Sequence, residues 1–298
     1  MTQRTIITKI ILDSEALRQI KELEEICIEV DNVTLKLELE YKASVAGEEG
    51  NDNNSINEFL CYDNDQIIGY AGICGFDGVT LEVNGMIHPD YRRQGIFSEL
   101  MKRVIESFDE RKEQTLLLLC DSDSISGQHF MQGMDATYSF SEYEMYLDTQ
   151  ATLDTSLPQG IIFYKATNDN AKKIAQMNAV VFDKPLNETD MPLPETEEQR
   201  GMTMYLASVD DEIVGKVNVQ RNSDAVGIYG LGVMPEYRGK GYGRELLKFA
   251  IKKAQELNVS DVMLQVEAEN EKALNLYTKC GFEVTSKMDY YRHKNSKV

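Results

Sequence analysis

The chain has 298 residues, 42% of them hydrophobic and 27% charged, a globular composition at a length that predicts two domains of about 150 residues. Its formal net charge of −19 excludes a nucleic-acid partner, because phosphate binding needs a basic face. No run of about 18 apolar residues marks a membrane span, and residues 1–8 lack the apolar core of a secretory leader, so the expected location is cytoplasmic with no membrane contact.

In the first half, Glu58 to Tyr62 reads as a strand, Asp63-Asn64-Asp65 as an acidic turn, and Gln66 to Cys74 and Val79 to Ile87 as two further strands. A glycine-containing loop follows. Phe97, Leu100, Met101, Val104, Ile105 and Phe108 then recur at helical spacing, and Leu116 to Cys120 forms a short apolar run suited to a strand buried on both faces. Asp148 to Gln159 is polar and separates two periodic regions, so the predicted division is a module over 1–147, a linker over 148–159 and a module over 160–298. Phe182 to Gly201 carries three prolines and reads as a solvated loop or a substrate-facing lid.

The second half repeats the plan of the first. Met204 to Val209 is a strand, Asp210-Asp211-Glu212 a turn, Ile213 to Gln220 and Ala225 to Val233 two more strands. Leu246, Leu247, Ala250, Ile251, Ala254 and Leu257 mark the helix, and Val262 to Val266 the last apolar strand. The loops align as well: Ile87-His88-Pro89-Asp90-Tyr91-Arg92-Arg93-Gln94-Gly95-Ile96-Phe97 recurs as Val233-Met234-Pro235-Glu236-Tyr237-Arg238-Gly239-Lys240-Gly241-Tyr242-Gly243. Such self-similarity at half the chain length predicts a tandem repeat of one strand, helix, strand unit.

The charge is uneven. Residues 1–150 hold 12 Lys+Arg against 29 Asp+Glu, a net of −17, and residues 151–298 a net of −2, so an anionic ligand is drawn to the second half. There Arg238 to Gly243 lies between a strand and a helix, where glycines let backbone N–H groups converge on an anion and Arg238 and Lys240 add positive charge. Five cysteines without a CxxC pair and three scattered histidines, His88, His129 and His293, give no metal-ligand set.

The segment Val233 to Gly243 resembles the acetyl-CoA signature of the GNAT superfamily of N-acetyltransferases, Arg/Gln-x-x-Gly-x-Gly/Ala after an apolar strand and a proline. It lacks the Lys-Ser/Thr of a Walker loop and the spacing of a dinucleotide fingerprint. Asn270-Glu271-Lys272-Ala273-Leu274-Asn275-Leu276-Tyr277, ending in Gly281-Phe282, is similar to the family's second cofactor segment. The resemblance implies an α/β fold of two tandem modules, each a mixed twisted sheet flanked by helices. It further implies acetyl-CoA as co-substrate, bound by the backbone of Leu231 and Val233, by Arg238, Gly239, Lys240, Gly241, Tyr242, Gly243 and Arg244, and by Asn270.

Acetyl transfer to an amine needs the departing thiolate protonated and the amine deprotonated. The resemblance gives the first role to Tyr277, a phenol with an ordinary pKa of about 10. The family's usual glutamate on the strand before the loop is absent between Val226 and Val233, leaving Glu267, Tyr229 or water as the base. Without the family, Asn270 is a helix N-cap, Tyr277 a packed aromatic and Cys280 a packed thiol.

In the first module Phe97 stands where the second has Gly243, and no alignment brings a tyrosine opposite Tyr277: His129, Phe130 or Met131 falls there. The first module is therefore expected to be degenerate and supporting. The function expected is transfer of an acetyl group from acetyl-CoA to a primary amine of a small molecule or peptide, by direct attack in a ternary complex. A non-catalytic acyl-CoA sensor or scaffold is the alternative. A peptidoglycan-building aminoacyl transferase shares the module, but the small size and intact signature count against it.

Overall fold

The computed structural model describes residues 4–45, 57–75, 79–111, 115–150, 160–182, 191, 193–222 and 225–294. Residues 151–159 of the expected linker, and 183–190 and 192 of the expected lid, lie outside the described residues. In chain order the first repeat holds β1 (Arg4–Lys9), α1 (Ser14–Asp31), α2 (Leu39–Val45), β2 (Glu58–Asp63), β3 (Gln66–Gly75), β4 (Thr80–Ile87), α3 (Ile96–Asp109), β5 (Thr115–Asp121), α4 (Ile125–Gln132) and β6 (Ala136–Leu147). The second holds β7 (Ile162–Lys165), α5 (Ala171–Val181), α6 (Pro194–Gln199), β8 (Met202–Val209), β9 (Glu212–Arg221), β10 (Ala225–Val233), α7 (Tyr242–Gln255), β11 (Asp261–Glu267), α8 (Glu271–Lys279) and β12 (Phe282–His293).

The chain folds into two compact units, Met1–Glu142 with Ser286–Val298, and Tyr143–Thr285. Strands β6 and β12 therefore each divide their length between the units. In the first unit the strands run β1-β2-β3-β4-β5-β12-β6, and in the second β12-β6-β11-β10-β9-β8-β7. The pairings of β1 to β4, of β5 with β12 and of β7 to β10 are antiparallel, and those of β4 with β5 and of β10 with β11 are parallel. The open, mixed, helix-flanked sheet is the α/β architecture expected.

Local sequence explains the elements. Asp13 caps α1 by accepting from the Ala16 N–H at 2.8 Å, and Asn32 ends it in the left-handed region with its N–H on the Ile28 carbonyl. The acidic turn between β8 and β9 puts Asp210 and Asp211 both at positive φ, 49° and 64°, which suits the twist of a two-residue hairpin. On α3 the apolar stripe Leu100, Met101, Val104 and Phe108 is buried against the first sheet, and on α7 Leu246, Leu247, Ala250, Ile251 and Ala254 are buried against the second. Truncating any of these leucines to alanine costs about 2–5 kcal/mol.

One feature of each sheet positions the site. Parallel pairing covers only Ala225–Ile228 against Asp261–Leu264, although β10 continues to Val233, so Tyr229 to Val233 have parted from β11. In the first unit pairing likewise stops at Val83 with Leu118 while β4 runs on to Ile87. The modules then differ: β10 bulges between Tyr229 and Gly232, with Gly230 at φ 55°, whereas β4 keeps regular register with β3 from Leu81 to Ile87. Among the described residues no helix is long and apolar enough to cross a membrane.

Candidate active site

Within the second unit, the loop after β10 turns directly into α7. Gly239 and Gly241 have φ of 76° and 90°, a region that only glycine enters freely. A Cβ added at either would meet nothing within 4 Å, so the loop faces open space. The Arg244 and Glu245 N–H groups bond to the Gly241 carbonyl. Among the described residues the N–H groups of Gly239 to Gly243 donate to no other backbone carbonyl. Unspent donors at a helix N-terminus form an anion site.

Beside it lies a cavity of about 330 Å³ lined by Gly160, Ile161, Val209, Lys240, Gly241, Tyr242 and Glu245. Lys240 Nζ stands 5.1 Å from the Tyr237 ring centroid, which holds the ammonium beside the loop. Arg238 Nε donates to the Val233 carbonyl at 2.9 Å, pinning the loop to the end of β10. Arg92 Nε makes the same bond to the Ile87 carbonyl at 3.1 Å in the first unit. The sequence signal for this pin was the repeated arginine, whose positional role was not legible.

The Met234 N–H donates to Val214 on β9, so strand alternation turns the backbone groups of Val233 and Leu231 the other way, into the gap left by β11. That gap is floored by the core cluster containing Tyr277, Leu246, Cys280 and Phe282, against which Leu231, Val233, Tyr242 and Leu276 pack. Gly243 keeps it open: its added Cβ would sit 3.6 Å from Leu276 and 3.8 Å from Val233. The set of donors, cation and slot fits a chain carrying a pyrophosphate and an extended amide arm, which is the chemistry of coenzyme A.

Tyr277 is 9% exposed on α8, its ring edge-on to Phe282 with centroids 6.3 Å apart. Burial pushes its phenol up to about 12, so the hydroxyl keeps its proton at neutral pH. Asn270 caps α8, its Oδ1 accepting from the Ala273 N–H at 3.2 Å. Glu267 is exposed at the end of β11, beyond the paired segment, and Tyr229 donates its hydroxyl to Met263 Sδ at 3.4 Å. Cys280 is 1% exposed and burial raises its thiol, the state of a packed residue rather than a nucleophile. Among the described residues no group of three His, Cys, Asp or Glu side chains is gathered as for a metal.

Sequence reading missed a polar group on the other side of the bulge. Lys216, 3% exposed on β9, donates to Asn178 Oδ1 at 2.9 Å and stands 5.5 Å from the Phe182 ring centroid. Asn218, 8% exposed, follows it on the same face, and a Cβ at Gly230 would meet both. Polar residues two apart in an otherwise apolar strand were the available signal.

In the first unit the equivalent slot is filled. Phe97, on α3, packs against β4, 2.9 Å from a Cβ built at Gly85, and is edge-on to Phe130 with centroids 4.7 Å apart. His129 is exposed on α4 and, with Met101, Ile105 and Met134, lines a cavity of about 550 Å³.

The splayed parallel pair, the glycine loop at a helix N-terminus and the repetition of the plan define a two-module α/β protein of the N-acetyltransferase class. The chain belongs to the acetyltransferase (GNAT) family, whose model matches it twice, over residues 18–134 and 171–282. It is 25% identical over 243 residues to a mycothiol acetyltransferase of Propionibacterium freudenreichii subsp. shermanii, covering 78% of this chain and 76% of the relative. A streptothricin acetyltransferase of Escherichia coli is 34% identical over 91 residues, 30% of this chain and 52% of that protein. Among solved structures, a GCN5-related N-acetyltransferase from Sphaerobacter thermophilus superposes with a TM-score of 0.78 at 20% identity, covering 96% of this chain and 95% of that one. A tandem GNAT protein from the clavulanic acid biosynthesis pathway gives 0.74 at 16%, covering 97% and 98%.

Proposed function

We propose that the second module transfers the acetyl group of acetyl-CoA to a primary amine of a small molecule or peptide by direct attack in a ternary complex, and that the first module does not bind the cofactor. The observation that carries this reading is the loop Gly239 to Gly243, whose unspent N–H groups face open space at the mouth of the slot ending near Tyr277. The names of the relatives, mycothiol and streptothricin acetyltransferase, direct the acceptor search to small molecules.

Acetyl-CoA, when bound, supplies the activated thioester. The loop N–H groups and Lys240 would hold its pyrophosphate, with Arg238 fixing the loop and Leu231 and Val233 pairing with the extended arm. Tyr277, kept neutral by burial, would protonate the departing sulfur. The incoming amine must first lose a proton to Glu267, to Tyr229 or to water, since β10 offers no carboxylate. The packed state of Cys280 supports direct attack over a covalent relay.

The test is turnover of an amine panel by the wild type and Tyr277→Phe. A fall in kcat of about 10²-fold or more with unchanged acetyl-CoA affinity supports the acid role. Unchanged turnover refutes it, and tight acetyl-CoA binding without turnover of any amine would turn the reading toward a sensor.

A further inference from the structure

The first unit carries a polar cluster on the sheet face opposite Phe97, and acetyl transfer does not use it. Lys36 Nζ donates to the Tyr290 hydroxyl at 2.7 Å and is ion-paired with Glu142 at 3.5 Å and Glu82 at 3.6 Å. Next to it Lys42 pairs with Glu58 at 3.0 Å and donates to the Tyr70 hydroxyl at 3.0 Å. Glu38, between the two lysines, is raised by burial, as is Glu82. Four carboxyl groups thus face two ammonium groups.

Other buried carboxylates of this unit are well supplied. Asp121 accepts from the Thr34 and Asp123 N–H groups, and Asp289 from Ser141 and Gln128. Two neighbours on β4 are not. Glu82 Oε2, ion-paired with Lys36 Nζ at 3.6 Å, and Asn84 Nδ2 are both buried with no hydrogen bond among the described residues. Asn84 is 7% exposed. Gly85 faces Phe97, so alternation turns Asn84 to the opposite face, the face of Glu82 and the lysines. It is also the first residue of β4 beyond its pairing with β5, where the sheet opens. A buried polar group without a hydrogen bond is costly, and each one a native structure keeps calls for an explanation, of which a bound ion, water or ligand is one.

We infer that this face of the first module binds a small organic ammonium ion that also carries a hydroxyl or carbonyl oxygen. The ammonium donates to Glu82 Oε2 and makes up part of the missing positive charge, and the oxygen accepts from Asn84 Nδ2. Glu142, whose side chain is 26% exposed, marks the way in from solvent. Because Phe97 and Phe130 close the slot on the other face, the bound amine meets no acetyl donor here. The first module is a recognition site for an amine, independent of whether the second module performs the transfer proposed above.

The probe is 2-aminoethanol, titrated calorimetrically into the full chain, with propylamine and ethylene glycol as partners lacking the oxygen or the charge. Saturable binding of 2-aminoethanol is expected, weakened at least about tenfold in Glu82→Gln and in Asn84→Leu, and retained in Gly241→Glu, which alters only the second module's loop. Melting curves show that each variant is folded; Glu82→Gln is expected to melt no lower than the wild type, since it removes an under-partnered buried charge. Absence of binding, or equal binding by Glu82→Gln, overturns the site. Propylamine binding as tightly as 2-aminoethanol overturns the role of Asn84.

Discussion

Replacing Gly241 or Gly95 by glutamate separates a backbone effect from a ligand effect. Both glycines sit at the N-cap of the helix after the loop, with φ of 90° and 78°, and a Cβ at either meets nothing within 4 Å. Each substitution therefore costs about 1–2 kcal/mol of left-handed strain, which at about 2–4 °C per kcal/mol for chains of this size lowers Tm by about 2–8 °C. The two losses of Tm should be alike. Cofactor affinity should not: a carboxylate at Gly241 points into the space facing the loop N–H groups, and one like charge about 4 Å from a phosphate costs about 1–4 kcal/mol between aqueous and surface dielectric limits. Calorimetry with acetyl-CoA should show at least about a tenfold loss for Gly241→Glu and none for Gly95→Glu. Loss confined to Gly95→Glu, or equal loss in both, would refute the division of labour between the modules.

Three further outcomes are expected. The buried phenol of Tyr277, pushed up to about 12, ionises in the unfolded chain near 10 but not in the folded one; its contribution is complete below pH 10 and lost as pH rises through 12. Alkaline unfolding curves of Tyr277→Phe should accordingly fall less steeply in that window. Lys36→Met leaves Glu82 and Glu142 without their ammonium and should destabilise the first unit by about 3 kcal/mol in urea melts, with no change in acetyl-CoA affinity. Ending the chain at Thr285 removes Met288, Asp289 and Tyr290, which pair with β5, and takes Met288 and Tyr290 from their packing with Leu117 and Leu119; hydrogen exchange should show that unit unprotected, and a protected β4 and β5 would contradict the pairing.

The parts legible in the sequence were those whose signals are local. Strands β2 and β3, and β8 and β9, are apolar runs parted by an acidic turn, and the ends of β2 to β4 and β8 to β10 fall within two residues of expectation. The glycine loop was legible because it occurs twice. Pairing of Met288–Arg292 with Leu117–Asp121 joins segments some 170 residues apart in a sheet, and nothing local to either announces the other. The same distance hid the polar cluster: Glu82 and Asn84 are visible as polar residues in an apolar strand, but their neighbours Lys36 and Tyr290 come from opposite ends of the chain. Arg238 shows a different limit, since composition registers its charge whereas the fold spends its Nε on a backbone carbonyl.

The two modules show how one position can separate fold from cofactor site. Both keep the splayed parallel pair, the left-handed glycine before the helix and the arginine that ties the loop to the strand end. These features set backbone geometry and stabilise either module whether or not a ligand arrives. Gly243 contributes nothing of that kind; its value is the space it leaves between Leu276 and Val233. Phe97 takes up that space and gains an edge-on contact with Phe130 worth about 0.5–1.5 kcal/mol beyond its buried area. A module with no need to hold a cofactor would be more stable with the aromatic plug than with the gap. The opposite face of the same sheet, where Glu82 Oε2 and Asn84 Nδ2 lack a hydrogen bond among the described residues, has made no such exchange, and that contrast is the physical reason to look there for the first module's own ligand.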